Sequence, residues 1–370
     1  MKKIKVLQCT IAESAGGRTQ FLLNLWKYID HTKYEFDFLT FSKNISFQKD
    51  IEDAGARVLY IHTYPEDDEK KFKREFKNIL NNEYDVIHIA TPYWKSTIME
   101  QMAKEAGIKK IIVHSHSSGI ETKKDNYQEE LKRHQEIKNM ISEELASDFL
   151  ACSTTAANWL YGDAIPKEKI KVIYNGIDTQ RFRYCEKKRK KLRSDAGRIN
   201  KFVIGFVGRL QQVKNVDYII ELFREIQQIN NEAFLLIVGD GSLRKDLEEK
   251  MKNLVPNDSY FFTGKVKNVE DYLLQMDVLL LPSLFEGFPI TLIEAQCMGL
   301  KCLVSTNVTD EVIATDLVEK LPLEKKKLWI DKLIDISLGY ERKNQIIAIK
   351  EHHLDMDSVA RQIEKIYEDM

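Results

Sequence analysis

The sequence predicts an α/β protein of two domains, each an open parallel sheet covered by helices on both faces. Three observations lead there. Short apolar runs of strand length alternate with segments of helical period, as in βαβ units whose strands are buried on both sides. The pattern starts afresh near Phe202. A length of 370 residues exceeds what one compact α/β core usually holds, and a 43% apolar content suffices for two.

In the first half, residues 4–8 are the first strand candidate, followed by a Gly-Gly turn and a helical run at 21–26. Strand candidates continue at 36–39, 57–61, 85–89, 110–113, 149–152 and 171–174. A linker is expected near 175–182. The basic run 187–191 beyond it reads as the solvated face of a helix, or as a surface that touches anionic lipid. The second half places strands at 202–207, 233–238, 260–263, 278–281 and 302–305. No internal repeat or low-complexity tract interrupts this order.

Composition excludes several classes. Charged residues make up 31% of the chain yet leave a net charge of -1, which argues against a nucleic-acid binder. The apolar run after the first lysines is broken by Lys5 and Gln8, so it reads as a strand, not a signal peptide, and no stretch is apolar enough to cross a membrane. Cys9, Cys152, Cys185, Cys297 and Cys302 form no C-x-x-C or metal-ligand spacing and read as small core residues in a reducing cytoplasm.

The most informative local pattern is Glu286-Gly287-Phe288-Pro289-Ile290-Thr291-Leu292-Ile293-Glu294. It follows the strand at 278–281 and the breaker Pro282-Ser283, so a loop leaves the carboxyl end of a strand and enters a helix near Pro289. Ligands of open α/β sheets bind at that end. Gly287 lets backbone approach a ligand, and the helix start suits phosphate. Glu286 in the loop and Glu294 in the helix are placed to accept hydrogen bonds from sugar and ribose hydroxyls.

With seven residues between them, Glu286 and Glu294 resemble the E-x7-E motif of the family-4 retaining glycosyltransferases, which have the GT-B fold. Other segments agree in order and spacing. Ser14-Ala15-Gly16-Gly17 resembles the glycine loop after the first strand, and Tyr174-Asn175-Gly176-Ile177-Asp178 the N-G-[IV]-D segment at the domain boundary. Gly208-Arg209-Leu210, followed by Lys214, resembles the G-R-L…K donor-phosphate segment. Val238-Gly239-Asp240-Gly241 and Phe262-Thr263-Gly264 fit the G-x-G and F-x-G turns. The ordered set covers nearly the whole chain.

The resemblance implies two Rossmann-like domains facing each other across a cleft. Residues 1–176 would take the acceptor side, residues 177–354 the nucleotide-sugar donor, and a C-terminal helix in 355–370 would cross back to the first domain. It implies hexosyl transfer from a nucleotide-sugar, foremost a UDP-sugar, to a carbohydrate or lipid-linked acceptor. Configuration would be retained and no metal or other cofactor required. The setting would be exopolysaccharide, capsule or cell-envelope glycan synthesis, in the cytoplasm and peripherally at the inner membrane face. By the same resemblance Gly287, Phe288 and Pro289 contact the transferred sugar, Glu286 orients it, Glu294 holds the ribose, and Gly264-Lys265-Val266 lies beside the base.

Each piece also has a physical rationale. Arg209 binds phosphate oxygens bidentately and Lys214 as a compact charge, so together they neutralise a diphosphate leaving group. Gly16 and Gly17 let that phosphate approach backbone amides at the first helix. His114 and His116 follow the strand at 110–113 and offer imidazoles to a sugar hydroxyl; His116 is favoured, because one residue finishes the strand and the next reaches the cleft.

Two decoys and two departures complete the reading. Asp355-Met356-Asp357 matches a D-x-D signature but precedes a helical run and reads as its cap; His352-His353 belongs to the same polar approach. Where the family often carries a Gly-rich stretch, this chain has Thr306-Asn307-Val308-Thr309-Asp310-Glu311, and Arg18 stands unassigned where the family often has a small residue. The alternatives are a nucleotide-sugar epimerase or phosphorylase of the same architecture, and a nicotinamide-dependent oxidoreductase. The latter needs a G-x-G-x-x-G loop that residues 14–19 lack.

Overall fold

The computed structural model describes residues 2–13, 17–120 and 126–370; Ser14, Ala15 and Gly16 of the glycine loop lie outside the described residues. The chain divides into two compact units, Met1–Gly176 with Met356–Met370 (unit 1) and Ile177–Asp355 (unit 2).

Unit 1 is built on strands β1 (Ile4–Ile11), β2 (Tyr34–Thr40), β3 (Arg57–Tyr60), β4 (Val86–Thr91), β5 (Lys110–Ser115), β6 (Asp148–Ala151) and β7 (Ile170–Val172). They form one sheet in the order β3-β2-β1-β4-β5-β6-β7, parallel throughout. Every residue of β5 is buried, as a central strand covered on both faces requires. The chain runs outward from β1 to β3 and returns to β4, so the loops after β1 and β4 diverge. That switch point is where an open sheet leaves a crevice at its carboxyl end.

The C-terminal helix Met356–Glu368 joins unit 1 because Met356, Val359, Ala360, Ile363, Ile366 and Tyr367 form one apolar stripe. They pack with Phe21, Leu22 and Leu25 of the helix Gly17–Tyr28 in a single core. Burying each of Met356, Val359, Ile363 and Ile366 is worth about 1.5–3 kcal/mol. Asp355 and Asp357 flank the start of that helix, with Asp355 buried and bridged to Ile177.

Unit 2 carries β8 (Phe202–Val207), β9 (Ala233–Val238), β10 (Tyr260–Phe262), β11 (Val278–Leu281), β12 (Lys301–Ser305) and β13 (Val318–Leu321). Their order is β10-β9-β8-β11-β12-β13, again parallel, and the switch point falls between β8 and β11. The strand β13 escapes sequence reading because Glu319 and Lys320 break its apolar run, which an edge strand with one neighbour tolerates.

The basic run lies on the helix Glu186–Asp195, where Lys188 and Arg189 pair with Asp271 and Asp277, each at 2.5 Å. All five cysteines are free; Cys185 departs from expectation by being exposed, just ahead of that helix, whereas the other four are buried. Among the described residues no helix is long and apolar enough to cross a membrane.

Candidate active site

In unit 2 three strand ends are stitched together at the switch point. After β8 the chain makes a short turn at Gln212–Lys214 and passes Asn215, whose left-handed backbone aims the following helix. The amide of Leu284, after β11, donates to the Val213 carbonyl at 2.8 Å. The Asn215 side-chain amide donates to the Pro282 carbonyl at 3.1 Å. From β12, the Ser305 hydroxyl donates to the Ser283 carbonyl at 2.6 Å, and Glu286 bridges to Val308 in the segment after that strand.

These constraints bring Lys214 and Glu286 into contact across 72 residues: Nζ donates to Oε1 at 2.6 Å. The Ser283 hydroxyl donates to the same oxygen at 2.7 Å. The Lys214 side chain keeps 21% of its surface exposed and Glu286 only 7%, so the ammonium is the accessible partner. Arg209 lies two residues beyond β8 and is exposed. Gly287 and Phe288 are half-buried, and Pro289 precedes the helix Ile290–Cys297, whose start carries no side-chain cap. An uncapped helix start presents backbone amides and a positive dipole end to an anion.

Glu294 is half-buried on that helix. Burial pushes its carboxyl up to about 7, Glu270 pushes the same way, and Arg181 opposes both. Arg181 is itself held by Glu270 at 2.8 Å.

The G-R-L segment rests on the two glycine turns. The Leu210 amide donates to the Asp240 carbonyl at 3.0 Å, and the Gly239 amide to the Gly264 carbonyl at 3.1 Å. A Cβ on Gly239 would lie 1.9 Å from the Gly208 carbonyl oxygen, and one on Gly241 would lie 2.3 Å from that of Leu210. The turns are glycines because the backbone bearing Arg209 lies directly against them. Beyond β10, Lys265 is exposed and Val266 half-buried.

In unit 1, Gly17 opens its helix and is exposed, with nothing within 4 Å of where its Cβ would be. Gly16 lies outside the described residues. The strand β5 runs through Ser115, so His114 belongs to the strand and His116 follows it. His114 is fully buried, and its Nε2 has no hydrogen-bond partner among the described residues. Its Nδ1 sits 3.1 Å from Nε2 of His88, whose Nδ1 is 2.8 Å from the Tyr367 hydroxyl on the C-terminal helix. The half-buried His116 packs on His114 at 4.0 Å and on Phe21 at 4.6 Å between ring centroids. Burial keeps His114 and His116 neutral; for His116 the nearby His88 and Arg18 push the same way and Asn175 opposes.

Sequence reasoning missed Ser283, Asn215, His88 and Tyr367. Only Ser283 had a local signal, a serine three residues ahead of a glutamate.

Comparison with known proteins identifies relatives of both halves of the chain. Residues 15–181 match the model described as Glycosyltransferase Family 4, and residues 187–353 the model described as Glycosyl transferases group 1. EpsF of Bacillus subtilis (strain 168) is 26% identical over 355 residues, covering 93% of this chain and 90% of its own. An Escherichia coli relative named UDP-Gal:alpha-D-GlcNAc-diphosphoundecaprenol alpha-1,3-galactosyltransferase is 26% identical over 322 residues, covering 82% of this chain and 79% of its own. The capsular polysaccharide biosynthesis glycosyltransferase CapH of Staphylococcus aureus is 24% identical over 382 residues, covering 98% of each. Among solved structures, Anabaena HepE in complex with UDP and glucose superimposes with a TM-score of 0.75 at 19% identity, over 99% of this chain and 100% of that one, a likeness of fold. With residues 15–181 and 187–353 matched in order by the two models, the chain belongs to the family-4 glycosyltransferases.

Proposed function

We propose that the protein transfers a hexose from a UDP-sugar to a carbohydrate or lipid-linked acceptor, with retention of configuration and without a metal ion, in the synthesis of a capsule, exopolysaccharide or other envelope glycan. The observation that carries this reading is the Lys214–Glu286 pair at 2.6 Å beside the uncapped start of the helix Ile290–Cys297. It sets a cation for the leaving diphosphate next to a carboxylate for the sugar. In this reading unit 2 takes the donor and unit 1 the acceptor. Arg209 and Lys214 stabilise the diphosphate as charge develops on it, the electrostatic contribution that usually dominates such sites. The departing phosphate takes the acceptor hydroxyl's proton on the face it leaves, so retention needs no protein nucleophile. Glu286, held by Lys214 and Ser283, orients the sugar. His116 offers a neutral imidazole to a sugar hydroxyl.

Two similarities support the substrate classes: HepE is seen with UDP and glucose, and the E. coli relative is named for a UDP-sugar donor and a diphosphoundecaprenol-linked acceptor. An acceptor of that kind would bring the protein to the inner membrane face. The test is transfer from UDP-hexoses to a GlcNAc-diphospholipid, with the new anomeric centre read by NMR. The product should keep the donor's configuration, and chelator should leave the rate unchanged. An inverted product, or activity lost in chelator and restored by manganese, rejects the mechanism.

The raised carboxyl of Glu294 adds a pH dependence. A ribose hydroxyl donates best to the ionised form, and with the group titrating near 7, only about a tenth is ionised at pH 6. The Kd for UDP-glucose, whose diphosphate stays ionised throughout, should therefore rise about tenfold from pH 8 to pH 6. The Glu294→Gln protein should bind more weakly at pH 8 and show a flat profile. A flat profile in the wild-type protein would remove Glu294 from the ribose.

A further inference from the structure

At the switch point of unit 1 lies a cavity of about 340 Å³, at the carboxyl ends of β1 and β4. That volume falls in the range of ligand pockets. Arg18, on the first turn of the helix Gly17–Tyr28, lines it together with Phe41, Tyr64, Tyr93, Lys95 and Glu100.

The charges there are unevenly satisfied. Lys95 is shared between Glu66 at 3.6 Å and Glu130 at 3.7 Å. Arg18 instead donates from Nη1 to the Ala90 carbonyl at 3.3 Å, and among the described residues no carboxylate stands within ion-pair distance of it. Burial works against its charge. A desolvated guanidinium with no counterion is costly, and the cost is offset when a ligand brings an anion, which the planar fork binds bidentately.

The other walls suit a sugar. Phe41 and Tyr64 stack at 4.6 Å, and the Lys95 ammonium lies 5.5 Å from the Tyr93 ring centroid and 6.0 Å from that of Tyr64. Such rings cover the apolar C–H faces of a pyranose. Glu100 is 2% exposed, and its Oε2 has no hydrogen-bond partner, an orphaned group that a ligand hydroxyl would satisfy. Burial raises that carboxyl to about 7.

We propose that this cavity binds an anionic saccharide acceptor, with Arg18 as the counterion of its charged group and the Phe41–Tyr64 stack and Tyr93 as the walls for its ring. The proposal rests on the reading of the chain as a sugar-transfer enzyme and narrows its acceptor to a charged one. The charge is carried either as a diphosphate or as a carboxylate. The diphosphate of the donor already has cations in unit 2, at Arg209 and Lys214.

The test is calorimetric titration of wild-type protein and of Arg18→Gln and Arg18→Lys. Three probes are used: farnesyl-diphospho-N-acetylglucosamine, methyl glucuronide and the neutral methyl glucoside. UDP is titrated separately. One charged probe should bind the wild-type protein at least tenfold more tightly than the neutral one. The Gln variant should lose that tenfold, about 1.4 kcal/mol, while the Lys variant keeps part of it. Which charged probe responds identifies the source of the anion. UDP should bind all three proteins alike. The proposal is overturned if the Gln variant binds the charged probe as the wild-type does, if neither charged probe outbinds the neutral one, or if UDP affinity falls in parallel. Binding of a charged probe through Arg18 by a protein that binds no UDP would uphold the anion site and reject the transfer reading alone.

Discussion

The Lys214→Ala protein should turn over substrate about 100- to 1,000-fold more slowly than the wild type, the loss typical of removing one preorganised group from a site where transition-state charge develops. The ammonium is fixed before any ligand arrives, by Glu286 at 2.6 Å, so no reorganisation is required as the diphosphate leaves. Truncation also strips Glu286 of its cation. That carboxylate would keep the Ser283 hydroxyl alone in a site where only 7% of its side chain is exposed. The destabilisation should be about 1–3 kcal/mol, below that of a fully buried pair because Lys214 retains contact with solvent. The two effects separate in the double variant Lys214→Met with Glu286→Gln. It removes both charges, so stability should recover while turnover stays low. Steady-state kinetics with denaturant unfolding reads both. Wild-type turnover in the alanine protein would remove Lys214 from the leaving group.

Both sheets, apart from the edge strand β13, were legible in the sequence because parallel strands covered on both faces are continuous apolar runs, and such runs need no partner to be recognised. The site was legible only as residues of the right chemistry at strand ends. That Lys214 touches Glu286 depends on β8 and β11 being neighbours, and strand order is not written in either segment. The histidines show the same limit. Their position at a strand end was visible, but β5 continues through Ser115, and the side chains packed on His114 come from β4 and the helix Gly17–Tyr28. Arg18 stood out by residue type alone, as a cation after a glycine pair. Its meaning comes from the cavity around it and from the absence, among the described residues, of a carboxylate within ion-pair distance of it, which no local pattern carries.

The Gly239→Ala substitution should destabilise the protein by about 4 kcal/mol or more, although it adds one methyl group. Two costs combine. The residue sits at φ +133°, where L side chains rarely go, a strain of about 1–3 kcal/mol. Its Cβ would also fall 1.9 Å from the Gly208 oxygen and 3.0 Å from the Gly208 carbonyl carbon. Those are backbone atoms, held by the Gly208 amide donating to the Val238 carbonyl at 3.0 Å, so no side-chain rotation relieves the overlap. Relief requires the start of the G-R-L segment to move, carrying Arg209 with it, and turnover should fall along with stability. In a unit of this size each kcal/mol corresponds to about 2–4 °C, so the melting temperature should drop by roughly 8–16 °C. Gly339→Ala isolates the strain, because that residue also has positive φ, at +94°, yet nothing lies within 4 Å of its Cβ position. It should cost only about 1–2 kcal/mol and leave turnover unchanged. If the two alanine proteins melt together, backbone contact does not set the glycine at 239, and the G-x-G turn must be explained by what binds there.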